Sequence, residues 1–120
     1  MSGVVRASQI VFHIADGDRL LSAKDRSHYR AHSFDTEGFI HCCTEHQLAG
    51  VVSRYYQGIE NLTLLVLDGL AFNESLVMEN TVGGSELFPH IYSEIPWAAV
   101  IDTLSFNTSR LPDLSRYRSN

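Results

Sequence analysis

Residues 37–48 read EGFIHCCTEHQL, and the fold turns on how that stretch is divided. Two histidines, two adjacent cysteines and two glutamates fall within it. Gly38 opens a short extended run, Phe39 to Cys43, and Thr44 starts a helix. Thr44 with Gln47 three positions on is a capping-box pattern, in which hydroxyl and amide satisfy orphan N–H groups reciprocally. Leu48, Val51, Val52, Tyr55 and Tyr56 then recur at helical spacing and form one apolar stripe. Gly58 stands where a helix-ending glycine belongs. The stretch is thus a strand-to-helix corner.

Working outward, residues 10–14 (IVFHI) read as a β-branched strand ending at Ala15-Asp16. Asp16 is a plausible N-cap for a helix over 17–30, and 31–36 is expected as a loop. Residues 62–67 (LTLLVL) form a run suited to a strand buried on both faces. Residues 75–80 alternate weakly and carry Glu79. Gly83-Gly84 marks a turn. Residues 87–92 (LFPHIY) are extended, with Pro89 expected to confine them to an edge or a strand start. A last strand is expected over 98–104. The order is not a regular βαβα alternation, so the reading is α+β, with two helices and a small, mainly antiparallel or split sheet. One domain is expected over 1–106, with 107–120 as a loosely held tail.

The chain has 120 residues, 44% hydrophobic and 19% charged, which suits a single globular core. Its net charge of −5 argues against broad nucleic-acid binding and against anionic membrane surfaces. A local phosphate pocket would have to draw on Arg6, Arg19, Arg26, Arg30 or Arg54. No apolar run is long enough to span a bilayer, and the first residues show no signal-peptide pattern. The only cysteines are neighbours, which rarely bond to each other, so a reducing cytoplasm is the expected compartment.

The corner carries the chemistry candidates. His41, Cys42, Cys43 and His46 are soft ligands, but their spacing is wrong for a structural zinc site, and no metal is expected. Cys43 precedes a helix start that would favour a thiolate; its competing role is a small buried residue. His41 shares that position, where a neutral imidazole is favoured. His13 and His90 lie in two further apolar extended runs. Three histidines buried apart would be costly, so convergence on one cleft is the economical reading. Glu79 and Glu86 are the nearby acids, and Phe88 and Tyr92 could wall the cleft.

IVFHIA, EGFIHCC and GGSELFPHIYSEIP together resemble a bacterial and plant family called domain of unknown function 952, over roughly residues 10–105. Its pattern matches at His13, Glu37, Gly38, Phe39, Ile40, His41, Cys42, Glu86, Phe88, Pro89, His90, Tyr92 and Pro96. Cys43 departs from a usual hydroxyl residue, and Ser93-Glu94 from a usual Gly-Pro. The family has been grouped distantly with ADP-ribosyltransferases. That resemblance implies an ADP-ribosyltransferase-like fold and NAD held between two small sheets. It implies His13, His41, Glu86 and His90 as the catalytic set, with His13 on a ribose and Glu86 at its 2′-hydroxyl. Phe39, Cys43, Thr44 and Tyr92 would contact the cofactor. Four readings stay open from the residues: an NAD-using transferase or hydrolase, a non-catalytic binder of a small molecule such as a nucleotide, a metal-dependent enzyme, and an interaction module.

Overall fold

The computed structural model describes residues 9–117; Arg6 lies outside them. Strands β1 (Ile10–Ile14), β4 (Leu62–Asp68) and β8 (Val100–Phe106) form an antiparallel sheet in the order β1-β4-β8. β4 is its centre, and Leu64 to Leu67 are wholly inaccessible. Alternation along the strand sends Leu65 and Leu67 into one core cluster and Leu62, Leu64 and Val66 into another. A continuous apolar run is therefore what a strand walled on both faces requires. A second antiparallel sheet has the order β3-β6-β5, from β3 (Ile40–His41), β6 (Phe88–Ile91) and β5 (Leu76–Glu79). Short strands β2 (His28–Tyr29) and β7 (Ile95–Pro96) pair beside them. The architecture is α+β. Among the described residues no helix is long and apolar enough to cross a membrane.

Among the described residues three α-helices occur rather than two: α1 (Gly17–Ser22), α2 (His32–Glu37) and α3 (Leu48–Tyr55). The helix expected over 17–30 stops after six residues. Beyond Ala23 it has no apolar side chain to bury, and the chain instead dives to place Tyr29, fully inaccessible, in the core. The loop expected over 31–36 is α2. Its signal was hidden because Ala31 occupies the N-cap position and has no side chain to cap with. The missing acceptor comes from Asp16, which makes no side-chain cap bond to α1. Its Oδ2 accepts the His32 N–H at 2.7 Å. Arg19 and Arg30 then pin α2 through Asp35, at 2.8 and 3.1 Å. Gly38 ends α2 with φ of 90°, a left-handed conformation that side chains resist.

The strand-to-helix corner forms as expected. Gln47 Oε1 accepts the Thr44 N–H at 3.0 Å, and a short 3₁₀ turn, Glu45–Gln47, leads into α3, which buries Leu48 and Val52. Pro89 departs from expectation, since β6 is the central strand of its sheet. Its carbonyl accepts from Cys42 N at 3.0 Å on the side where β3 has already ended. The absent N–H faces that same side, opposite Cys42, so only the reciprocal bond to the Cys42 carbonyl is missing and the pairs Ile40–Ile91 and His41–His90 are kept. Of the segment expected as a loose tail, Leu114 is buried and the Tyr117 hydroxyl donates to Asp102 at 2.5 Å.

Candidate functional site

The two three-stranded sheets meet at the corner itself. His41 belongs to β3, while two residues on Cys43 exchanges backbone hydrogen bonds with Phe12 of β1, each 2.8 Å. The stretch 41–43 is therefore a seam, and a cleft of about 560 Å³ opens beside it. That volume falls within the range of small-molecule sites. α2 lends Thr36 and Glu37 to its wall, α3 lends Arg54 and Tyr55, and the 81–82 turn closes another side.

His13, His41 and His90 all line this cleft, as convergence predicts. Their situations differ. His90 is 3% exposed and lies directly across from His41 in the β3–β6 ladder. Glu79 is opposite Phe88 on β5, which makes it the diagonal neighbour of His90 on one face. Its Oε2 accepts a hydrogen bond from the His90 Nδ1–H at 2.8 Å and another from the Tyr92 hydroxyl. The Tyr92 and His90 donors hold the Glu79 carboxyl below its usual range, and the same carboxylate pushes the Tyr92 phenol up. Phe39 stacks on the His90 ring at 4.3 Å and 21°. Glu79, Phe39 and His41 thus fix the His90 ring, with Tyr92 holding the Glu79 carboxylate in place. Its Nε2 bonds to no described residue, and no fully buried side-chain nitrogen among those residues is left unpaired, so Nε2 reaches the cleft.

His41 is half-exposed, with its Nε2 3.2 Å from Glu37 Oε1 one helical turn earlier in sequence. Its ring meets that of His90 edge-on at 5.2 Å. His13 is different again. Its Nδ1 donates to the His41 carbonyl at 2.7 Å, and its Nε2 accepts from the Tyr29 hydroxyl at 2.9 Å. That hydroxyl also accepts the Asp16 N–H. Burial lowers the His13 pKa, outweighing the His41 carbonyl that opposes it, so the ring is neutral with both nitrogens in use. It ties β1 to β3 and β2 and has no lone pair left to offer a ligand.

Both cysteines are buried, Cys42 in one core cluster and Cys43 in the other. Burial pushes the Cys43 thiol up to about 12 and Cys42 well above its ordinary value, so neither is a thiolate. Thr44 caps the helix start. Phe39 and Tyr92 brace His90 from beside the cleft. Glu86 stands away from the lining residues, where Gln47 Nε2 donates to it at 3.2 Å and to the Leu87 carbonyl at 2.7 Å. The carboxylates placed beside the histidines are instead Glu37 and Glu79. The spacing E-x-x-x-H carried a signal for the first. For Glu79 the signal was only its strand parity, and the β5–β6 register was needed to aim it. Among the candidate phosphate ligands, Arg54 lines the cleft, while Arg19 and Arg30 are engaged by Asp35 and Glu94. Among the described residues no group of three or more His, Cys, Asp or Glu is placed to hold a metal ion.

Solved structures of similar fold come from the Caulobacter crescentus protein CC0527. Its crystal structure is 23% identical, with a TM-score of 0.72 over 81% of this chain and 85% of that one. Its solution structure is likewise 23% identical and scores 0.70, over 82% and 84%. At that identity the likeness is one of fold. No functionally curated protein matches the sequence. A family model described as "Protein of unknown function (DUF952)" matches residues 14–103, three quarters of the chain, beginning one residue after His13. The chain belongs to that family.

Proposed function

We propose that the cleft binds a small nucleotide derivative and that His90, oriented by Glu79, is its general acid–base. One observation carries this reading: a buried imidazole whose Nδ1 is held by a carboxylate at 2.8 Å while Nε2 opens onto a cleft. A carboxylate at Nδ1 fixes tautomer and ring orientation and stabilises the imidazolium that forms on proton uptake. Hydrogen bonds from Tyr92 and His90 keep Glu79 ionised, so it can do this across the neutral range. Phe39 prevents the ring from turning.

NAD is the first ligand to test. A cleft beside the seam of two small sheets matches the arrangement that an ADP-ribosyltransferase-like protein would use. For ribosyl transfer the carboxylate near the ribose would be Glu37, which lines the cleft, in place of Glu86. Arg54 and Tyr55 would face the phosphates and a base. Histidine side-chain NMR during titration with NAD and with AMP tests the reading. The ring signals of His90 and His41 are expected to shift saturably, and those of His13 to move less. No shift of His90 or His41 at millimolar levels of either nucleotide overturns it.

A further inference from the structure

Two of the histidines lining the cleft, His41 and His90, each have their own carboxylate, and they occupy directly opposed positions of one β-ladder. His90 Nδ1 is held by Glu79, which leaves Nε2; His41 Nε2 is held by Glu37, which leaves Nδ1. Their rings are 5.2 Å apart. One ring is buried and the other is half-exposed, so the pair is chemically unequal. A reaction in which one proton leaves a nucleophile while another reaches a leaving group needs two such groups side by side, one to accept and one to donate.

The anion preference comes from Arg54. Among the described residues it is the only arginine or lysine lining the cleft, and it has no ion pair there. The cleft's own acids are otherwise engaged, Glu37 with His41 and Asp16 with the His32 N–H. A guanidinium left without a carboxylate is suited to a phosphate. Tyr55, 63% exposed on the same wall, offers an aromatic face to a base. Both thiols are buried and protonated, so the attacking group is water or a hydroxyl of the substrate.

We infer that His90 and His41 are an acid–base pair acting on a phosphate ester, with the phosphate anion received by Arg54. This deepens the acid–base reading above and rests on it. His90 Nε2 takes a proton from water as its oxygen forms the new P–O bond. The ester P–O bond breaks, and the leaving oxygen takes the proton from protonated His41 Nδ1. Solvent then resets the two rings. One water is consumed, and nothing is oxidised or reduced.

The test uses the full chain with adenosine 2′,3′-cyclic monophosphate as substrate, AMP and adenosine as binding probes, and NAD as competitor chemistry. Phosphorus NMR is expected to show the cyclic ester opening to a monophosphate. The kcat/KM profile is expected to be bell-shaped in pH, since one neutral and one protonated ring are required. His41→Gln and His90→Gln should each lose about 10²-fold or more in kcat while still binding AMP. Arg54→Gln should weaken AMP and leave adenosine unchanged. AMP binding with an intact cyclic ester overturns the inference and leaves the nucleotide reading standing, as does release of nicotinamide from NAD with no ester cleavage. Turnover with a single-limbed or flat pH profile also overturns it, and needs no variant. Turnover unaltered by His41→Gln overturns it too. Absence of AMP binding by the wild type overturns the inference, and absence of NAD binding as well removes both readings.

Discussion

At the scale of single residues, three histidines in similar apolar runs have three different jobs. His13 is a strut: both nitrogens are bonded inside the protein, and its ring is held neutral by burial. His13→Phe would strand the His41 carbonyl and remove a partner of Tyr29, so a loss of about 1–3 kcal/mol is expected in urea unfolding near neutral pH. The pH dependence has a definite sign. The folded-state pKa of His13 is depressed, so the unfolded chain takes up a proton that the folded chain refuses once pH drops below about 6.5. Its contribution is full above that pH and is lost as pH falls toward the lowered folded value. The gap between wild type and His13→Phe should therefore narrow on going from about pH 7.5 to about pH 5. The thiols give a second residue-scale outcome. Cys42 and Cys43 should resist a thiol-specific disulfide reagent in the native protein and both react promptly in denaturant. Fast native labelling of Cys43 would contradict the buried, protonated state. Sequence made the three histidines visible and even their convergence arguable. It could not say which nitrogens would be free, because Tyr29 and Glu79 reach them from 16 and 11 residues away.

At the scale of elements, the corner at 37–48 is self-specifying while α2 is not. Thr44, Gln47 and an apolar stripe, all within residues 44–56, make α3 legible locally. α2 depends on a cap lent by Asp16 and on two arginines gripping Asp35. Gly38 then turns the chain from α2 into β3, with φ of 90° and open space where a Cβ would lie. Gly38→Ala thus meets no steric neighbour, and its cost is conformational alone, about 1–2 kcal/mol. Thermal unfolding should register that loss, and the rings of Phe39 and His41 immediately after the turn should shift in NMR. A variant as stable as wild type would show that the turn relaxes into another conformation. The misreading of Pro89 belongs at this scale as well. The rule against proline in central strands is a rule about ladder bonds, and Pro89 forgoes only the one opposite Cys42, where β3 has already ended.

At the scale of the molecule, β4 divides the interior into two clusters and belongs to both through alternate side chains. The clusters share one strand and are expected to unfold as one unit. Leu65→Ala, at a wholly buried position, should cost about 2–5 kcal/mol, with the same midpoint read from Trp97 fluorescence and from far-ultraviolet circular dichroism. Separate midpoints would mean that the clusters melt independently. What sequence alone determined is whatever is written within a dozen residues: β1, β4, the capped corner, the α+β class and the family motifs. These rest on periodicity, capping and side-chain size, which act between near neighbours. What only the tertiary structure decided is the seam and its consequences: which sheet edge meets which, that Glu79 and Glu37 rather than Glu86 stand by the histidines, that Asp16 caps α2, and that His90 alone among the buried histidines keeps a nitrogen open to the cleft. Those outcomes depend on strand register across long sequence separations. A register shift of one residue would turn Glu79 or His90 to the opposite face, and no local pattern encodes that choice.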